Sequence, residues 1–369
     1  MERSTKSTLY RSSLFSGAEV DEPPRPSSVY RAVAVPSLIF LLLVGLVGNI
    51  TFVLVVKRSR SLHSATFIYL VSLAFADLII LLSGIPIDIR FSFLGPQWLT
   101  GQLGCAAGVF FGFLGLNLSS TSIVAFTIER YIAICHPLLA VRTCTAAYAR
   151  KVIFYVWLLV ALYTTPWLFV VQIHPYPDYT DHEVCRRMLL KGQSGCYVFL
   201  IETVLFYVVP LLVSVVVYAK LGRILHRNMR IAKALSKKAA ASARRESNGS
   251  VTTASSTFSL RTPRKFSGPL TELDEYTRYQ SLLQGRLKVF RMLFIIVAYY
   301  AISWLPFRGL LVYNCMMKPP FVNDWFMLTA KLLIYSNSAV NPFLYNFMSK
   351  RFKKALYQFT TCSRDDDIA

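Results

Sequence analysis

Residues 32–56 read AVAVPSLIFLLLVGLVGNITFVLVV, an uncharged stretch closed at once by the basic Lys57-Arg58-Ser59-Arg60. A helix crosses the hydrocarbon core of a bilayer in about 20 residues, so this stretch is long enough to span. Six more apolar runs follow, at about 65–87, 103–128, 152–173, 197–219, 292–317 and 326–348. Each must be helical, because hydrocarbon offers no partner to an unpaired backbone group. The sequence therefore predicts an all-α membrane protein, a bundle of seven transmembrane helices over residues 32–360. Residues 1–31 read as an extracellular tail, about 221–285 as a long, partly disordered third cytoplasmic loop, and 361–369 as a cytoplasmic tail. Residues 1–31 hold no apolar core of the kind a cleaved signal needs, so the first span is expected to direct insertion.

Composition agrees. The chain is 54% apolar and only 16% charged, against about 25% charged for a soluble domain. The formal net charge of +21 would by itself fit nucleic acid. Its placement argues otherwise. With the N-terminus outside, 27 of the 40 lysines and arginines fall on inner segments and 10 on outer ones. That is the positive-inside pattern, so the charge reports orientation. The expectation is a multi-pass protein of the plasma membrane with the lipid bilayer as partner and no nucleic acid. The sequons at Asn49 and Asn117 fall within helices and that at Asn248 on the inner side, so none is expected to carry glycan.

Ionisable residues within spans are costly and mark function. Asp77 lies in the second run, Glu129 and Arg130 end the third, and Glu202, Arg308 and Lys331 lie in the fifth, sixth and seventh. Arg308 and Lys331 either snorkel to the interface or line a wet pocket; their depth favours the pocket. Pro86, Pro166, Pro210, Pro306 and Pro342 fall within the runs, where each kinks a helix and frees a carbonyl. Among seven cysteines, Cys105, Cys185 and Cys196 lie on the outer side. Cys185 could pair with either of the others.

The motifs, taken in order, carry a resemblance. They are Gly48-Asn49; Leu73-Ala74-Phe75-Ala76-Asp77; Glu129-Arg130-Tyr131 followed by Cys135-His136-Pro137-Leu138; Trp157; Pro210 with Tyr218; Trp304-Leu305-Pro306; and Asn341-Pro342-Phe343-Leu344-Tyr345. One set per run, at this spacing, the chain resembles rhodopsin-like G-protein-coupled receptors. Gly112 stands where amine receptors carry an aspartate and Tyr335 where opsins carry the retinal lysine, which disfavours both. Thr127 to Pro137, Phe206 to Pro210 and Tyr335 to Pro342 resemble thyrotropin-releasing hormone receptors.

The resemblance implies an amidated peptide ligand held by Phe113, Asn117, Glu202, Trp304, Phe307, Arg308, Lys331 and Tyr335. Glu202 replaces that family's aspartate, Lys331 its arginine, and Phe113 and Phe307 its vertebrate tyrosines, so a related but different peptide is expected. It also implies a Cys105–Cys185 disulfide. An activation switch is implied in Glu129, Arg130, Tyr131, Tyr218, Trp304, Pro306, Asn341, Pro342 and Tyr345, with Arg130 and Leu138 meeting a heterotrimeric G protein, of the Gq class by analogy. No cofactor is expected beyond an allosteric sodium ion at Asp77, Ser119, Asn337, Ser338 and Asn341, where a hydrogen-bonded network with water is the alternative.

After the seventh run, Lys350, Arg351, Lys353 and Lys354 interleave with Phe352, Leu356 and Phe359, a short amphipathic helix at the membrane. Cys362 beyond it is either palmitoylated or a free thiol. Ser247, Ser250, Thr252, Thr253, Ser255, Ser256, Thr257 and Ser259 in the third inner loop are expected targets of receptor kinases, read by arrestin. A transporter or channel is the alternative function, though no internal repeat is evident. An intramembrane enzyme is disfavoured, since on this reading only one span aspartate, Asp77, stands clear of the membrane surface and no Gly-x-Ser-x-Gly is present.

Overall fold

The computed structural model describes residues 25–176, 179–187, 193–249, 269–317, 321–348 and 350–361. Span one is Ser28–Arg58, span two Ala65–Leu94 and span three Gly101–Cys135. A short inner helix, Pro137–Thr143, leads to span four, Ala146–Thr164. Span five runs from Gln193–Thr203 through a π turn, Val204–Val208, into Val209–Gly249. Span six is Pro269–Met316, span seven Asp324–Met348, and the C-terminal helix Lys350–Thr360. Cys362 and the loop sites from Ser250 to Ser259 lie outside the described residues, as does the side chain of Ser247.

Six of these helices are long and apolar enough to cross a membrane on length and composition alone. Span seven is not among them, because it is diluted by Ser336, Asn337, Ser338 and Asn341. Asn337, Ser338 and Asn341 are buried, and the helix packs between spans one and six. Its polarity faces the bundle and not the lipid, which is the arrangement a bilayer tolerates.

Three boundaries differ from those read from sequence. Span two continues through Pro86 to Leu94, which takes Asp88 inside the bundle. Span four stops short of residue 173: Ala146–Thr164 continues across Thr165 and Pro166 into one further turn, Trp167–Val170, and Val171–Tyr176 forms strand β1. Pro166 thus interrupts the span one turn from its outer end. The described parts of the polar third inner loop are helical, since span five continues to Gly249 and span six begins at Pro269.

The span prolines have a visible consequence. A proline removes the hydrogen bond to the carbonyl four residues back. For Pro210 that carbonyl is Phe206 O, which accepts from Ser120 Oγ at 2.7 Å and Tyr300 Oη at 2.8 Å. For Pro342 it is Ser338 O, which accepts from Asn49 Nδ2 at 3.0 Å. The freed acceptors join spans three, five and six, and spans one and seven.

On the outer side, β1 pairs antiparallel with β2, Tyr179–Arg187. Cys185 is bonded to Cys105, so the alternative pairing with Cys196 does not occur. Gln102 adds a hydrogen bond from Nε2 to Val171 O at 2.7 Å and accepts one from Ile173 N at 3.0 Å. The hairpin is thereby fastened to the outer end of span three. On the inner side, the C-terminal helix buries Phe352 against Phe52 and Phe67, with ring centroids 5.1 and 6.5 Å apart.

Candidate functional site

The outer half of the bundle holds a buried polar cluster. Asn117 from span three, Glu202 from span five, and Trp304 and Arg308 from span six are all at most 1% exposed. Glu202 Oε2 accepts from Tyr163 Oη at 2.9 Å. Asn117 lies beside the Glu202 carboxylate, and no well-formed hydrogen bond within the protein is made by Asn117 Oδ1 and Nδ2, Glu202 Oε1, Trp304 Nε1, or Arg308 Nε, Nη1 and Nη2. Arg308 sits over the Trp304 ring at 5.4 Å and within electrostatic reach of Glu202, Tyr163, Tyr207 and Tyr300. Phe113 forms one wall, stacked on Trp167 at 4.3 Å with the rings 6° apart. Phe307 is half-buried against the main core.

Lys331 and Tyr335 are otherwise engaged. Lys331 Nζ donates to Asp88 Oδ1 at 2.5 Å and Tyr335 Oη to Asp88 Oδ2 at 2.6 Å. Sequence reading stopped span two at residue 87 and so missed Asp88; Asp77 is not the sole deep aspartate. A signal was present: Asp88 lies eleven residues after Asp77, three helical turns on and on the same face. Tyr163 and Trp167 were also missed. They sit at the end of span four, where a proline-broken helix has no periodicity to place them.

At mid-depth, Asp77 accepts from Asn341 Nδ2 at 2.7 Å and from Ser119 Oγ at 3.4 Å. Asn337 and Ser338 are buried alongside, with Ser338 Oγ and Asn337 Nδ2 unpartnered. The five residues read from sequence thus converge. The Asp77 carboxylate with the Ser119 and Ser338 hydroxyls close by is a set of hard oxygens, and it fits a monovalent cation. Among the described residues, no cluster of three His, Cys, Asp or Glu could hold another metal.

On the inner side, Arg130 makes a two-pronged ion pair with its neighbour Glu129, Nε to Oε2 at 2.5 Å and Nη2 to Oε1. Tyr218 is hydrogen-bonded to Thr127 Oγ1 at 3.3 Å. Tyr345 packs on Phe52 at 4.9 Å with its hydroxyl unpartnered. Neither tyrosine engages Arg130. Tyr131 stacks edge-on with His136, and Leu138 stands 89% exposed on the inner helix. Pro306 lies within span six, one turn of which places Trp304 against Tyr300 at 5.1 Å.

The chain is similar to known proteins. The chain is 34% identical to the thyrotropin-releasing hormone receptor of Bos taurus over 341 residues, covering 91% of this chain and 79% of that one. The human thyrotropin-releasing hormone receptor is likewise 34% identical, over 338 residues with the same coverage. The pyrokinin-1 receptor of Drosophila melanogaster is 30% identical over 363 residues, covering 90% of this chain and 80% of that one. Residues 48–345 match the family described as 7 transmembrane receptor (rhodopsin family). That match sets aside the transporter and channel reading, and the chain belongs to the rhodopsin family of seven-transmembrane receptors.

Proposed function

We propose that this receptor binds an amidated neuropeptide in the outer half of its bundle. The observation that carries the reading is the buried cluster of Asn117, Glu202, Trp304 and Arg308, whose polar side-chain atoms, apart from Glu202 Oε2 held by Tyr163, make no hydrogen bond within the protein. A buried group left unpaired costs about 1–3 kcal/mol. Peptide carbonyls and amides offer acceptors to Arg308 and Trp304 and both functions to Asn117. Receptors named for thyrotropin-releasing hormone and for pyrokinin stand among the relatives. The protein sits in the plasma membrane with its N-terminus outside.

The response is activation of a heterotrimeric G protein of the Gq class, with calcium release. Two of the ligand-facing residues, Trp304 and Arg308, flank Pro306, so a ligand that pulls on them biases the hinge of span six. As its inner half swings out, Arg130 leaves Glu129 and turns toward Tyr218 and Tyr345, and Leu138 fills an apolar slot on the G protein. The ligand shifts the two-state equilibrium only by its differential affinity for the open form. Asp77, Ser119, Asn337, Ser338 and Asn341 would hold a sodium ion in the inactive form; such an ion neutralises the Asp77 charge. Receptor kinases and arrestin act on the third inner loop, and Cys362 takes a palmitoyl group.

The test is a screen of amidated neuropeptides for calcium release in cells expressing the full chain, with Arg308→Ala in parallel. One peptide class should release calcium, and the variant should lose potency at unchanged surface expression. Equal potency in the variant would remove Arg308 from the pocket. Signalling through cyclic AMP with no calcium would overturn the Gq assignment.

A further inference from the structure

Glu202 and Arg308 carry opposite charges into the same buried cluster and do not meet. Each is at most 1% exposed, and Arg308 lies within the field of Glu202. Yet no Arg308 nitrogen comes within 4.0 Å of a Glu202 oxygen. Tyr163 holds the carboxylate from span four. Its hydroxyl donates to Glu202 Oε2 at 2.9 Å, and its ring is fixed against Phe206 at 5.0 Å. Buried opposite charges held apart are costly, so the gap between them favours an occupant that answers both.

The unmet hydrogen bonds identify the group. Glu202 Oε1 and Asn117 Oδ1 are acceptors without a well-formed donor, and the Arg308 nitrogens Nε, Nη1 and Nη2 are donors without an acceptor. A carboxylate matches the Arg308 fork but brings no donor, and it sets a second negative charge against Glu202. An ammonium supplies donors but offers nothing to Arg308, whose charge opposes it. A hydroxyl or a backbone amide carries a single donor and leaves one of the two acceptors unmet. A primary carboxamide carries two N–H donors and an oxygen with two lone pairs, and no net charge. Its NH2 group answers Glu202 Oε1 and Asn117 Oδ1, and its oxygen answers Arg308.

We infer that this cluster selects a primary carboxamide on the ligand, and that Glu202, positioned by Tyr163, rejects the corresponding acid. The inference deepens the peptide reading above and rests on it. A peptide presents a primary carboxamide as an amidated C-terminus or as an Asn or Gln side chain, and the cluster reads the same atoms in either. Carboxamide and carboxylate are nearly the same size, so shape does not separate them. The Glu202 charge does, because like charges set side by side at an interface are strongly opposed.

The experiment reads the rise in melting temperature of the purified full chain, which follows binding and is independent of the G-protein class. The probes are synthetic tripeptide pools of three kinds: amidated pools lacking Asn and Gln, the same pools as free acids, and free-acid pools containing Asn or Gln. Stabilisation by the first kind alone assigns the carboxamide to the ligand's C-terminus, and by the third alone to a side chain. The most active member is then titrated beside its matched acid, in which that one carboxamide is a carboxylate. The wild-type chain should bind the carboxamide about a hundredfold more tightly than the acid, and Glu202→Gln should narrow the ratio to about tenfold or less. Asp324→Asn removes the same charge from the exposed outer end of span seven and should leave the ratio unchanged. Tyr163→Phe frees Glu202 to close on Arg308 and should cost the carboxamide about tenfold in affinity; it serves as the second variant if Glu202→Gln fails to fold, and unchanged affinity there removes Tyr163 as the positioning residue. Stabilisation by no pool overturns the peptide reading and this inference with it. Three results overturn the carboxamide inference and leave the peptide reading standing: free acids lacking Asn and Gln that match the amidated pools, a ratio unmoved by Glu202→Gln, or a ratio narrowed equally by Asp324→Asn.

Discussion

Lys331 of span seven and Asp88 of span two form an ion pair at 2.5 Å, and the second Asp88 oxygen is taken by Tyr335 at 2.6 Å. Asp88 is buried and Lys331 half-buried. The pair ties two spans together and answers the Lys331 charge within the protein. It leaves Arg308, rather than Lys331, as the cation with unmet hydrogen bonds at the centre of the pocket.

Asp88→Asn and Lys331→Met should each lower the thermal midpoint of the solubilised receptor, since removing one partner strands the other. The double substitution Asp88→Asn with Lys331→Met should recover much of the loss. Melting curves of the three variants decide it; additive losses would show that the two residues do not act as a unit.

Arg308 should be a major determinant of potency. A charge-assisted hydrogen bond is worth about 1.5–3 kcal/mol, or one to two decades in activating concentration. Arg308→Ala should show that shift. Arg308→Lys should also fall short, because an ammonium cannot reproduce the planar fork. Concentration–response curves for calcium release, normalised to surface expression, provide the measurement.

The Glu129–Arg130 pair should restrain basal signalling. Glu129→Gln keeps the shape and removes the charge, so the open form gains by the strength of one ion pair. A change of about 1.4 kcal/mol raises its population roughly tenfold while it remains the minor state. Ligand-free nucleotide exchange on a purified Gα subunit should rise. No rise, at normal expression, would reduce the pair to an interfacial contact.

Sodium should weaken agonist binding if it occupies the site at Asp77. Raising sodium at constant ionic strength should reduce agonist affinity in membranes, and Asp77→Asn should abolish the effect. Equal sensitivity in both proteins would leave only the hydrogen bonds of Asp77 to Asn341 and Ser119.

Arrestin recruitment should depend on the third inner loop and barely on the tail. Each phosphate adds about −1.5 to −2 charge to an otherwise basic segment. Changing Ser247, Ser250, Thr252, Thr253, Ser255, Ser256, Thr257 and Ser259 to Ala should suppress agonist-driven arrestin association. Truncation after Cys362 should leave it nearly intact. Normal recruitment by the loop variant would sink the idea.

What the sequence determined by itself follows from the solvent. Hydrocarbon forbids unpaired backbone, so apolar runs such as 32–56 had to be helices, and the distribution of Lys and Arg oriented them. Asp77, Ser119, Asn337, Ser338 and Asn341 were legible as one site through the family resemblance, and polar groups within spans must in any case face the bundle. Glu129 and Arg130 were legible because they are adjacent in the chain. The tertiary structure decided the rest. Asp88 and Lys331 are 243 residues apart, and their meeting depends on how far span two continues past Pro86 and how each helix is rotated about its axis. Periodicity gives a helix its faces but not the azimuth at which they meet. Likewise only packing shows that the carbonyls released by Pro210 and Pro342 are recaptured by Ser120, Tyr300 and Asn49. The hydrogen bonds of Arg308, by contrast, find no protein partner, because aromatic rings packed around it and the Glu202 carboxylate stands beyond hydrogen-bond reach.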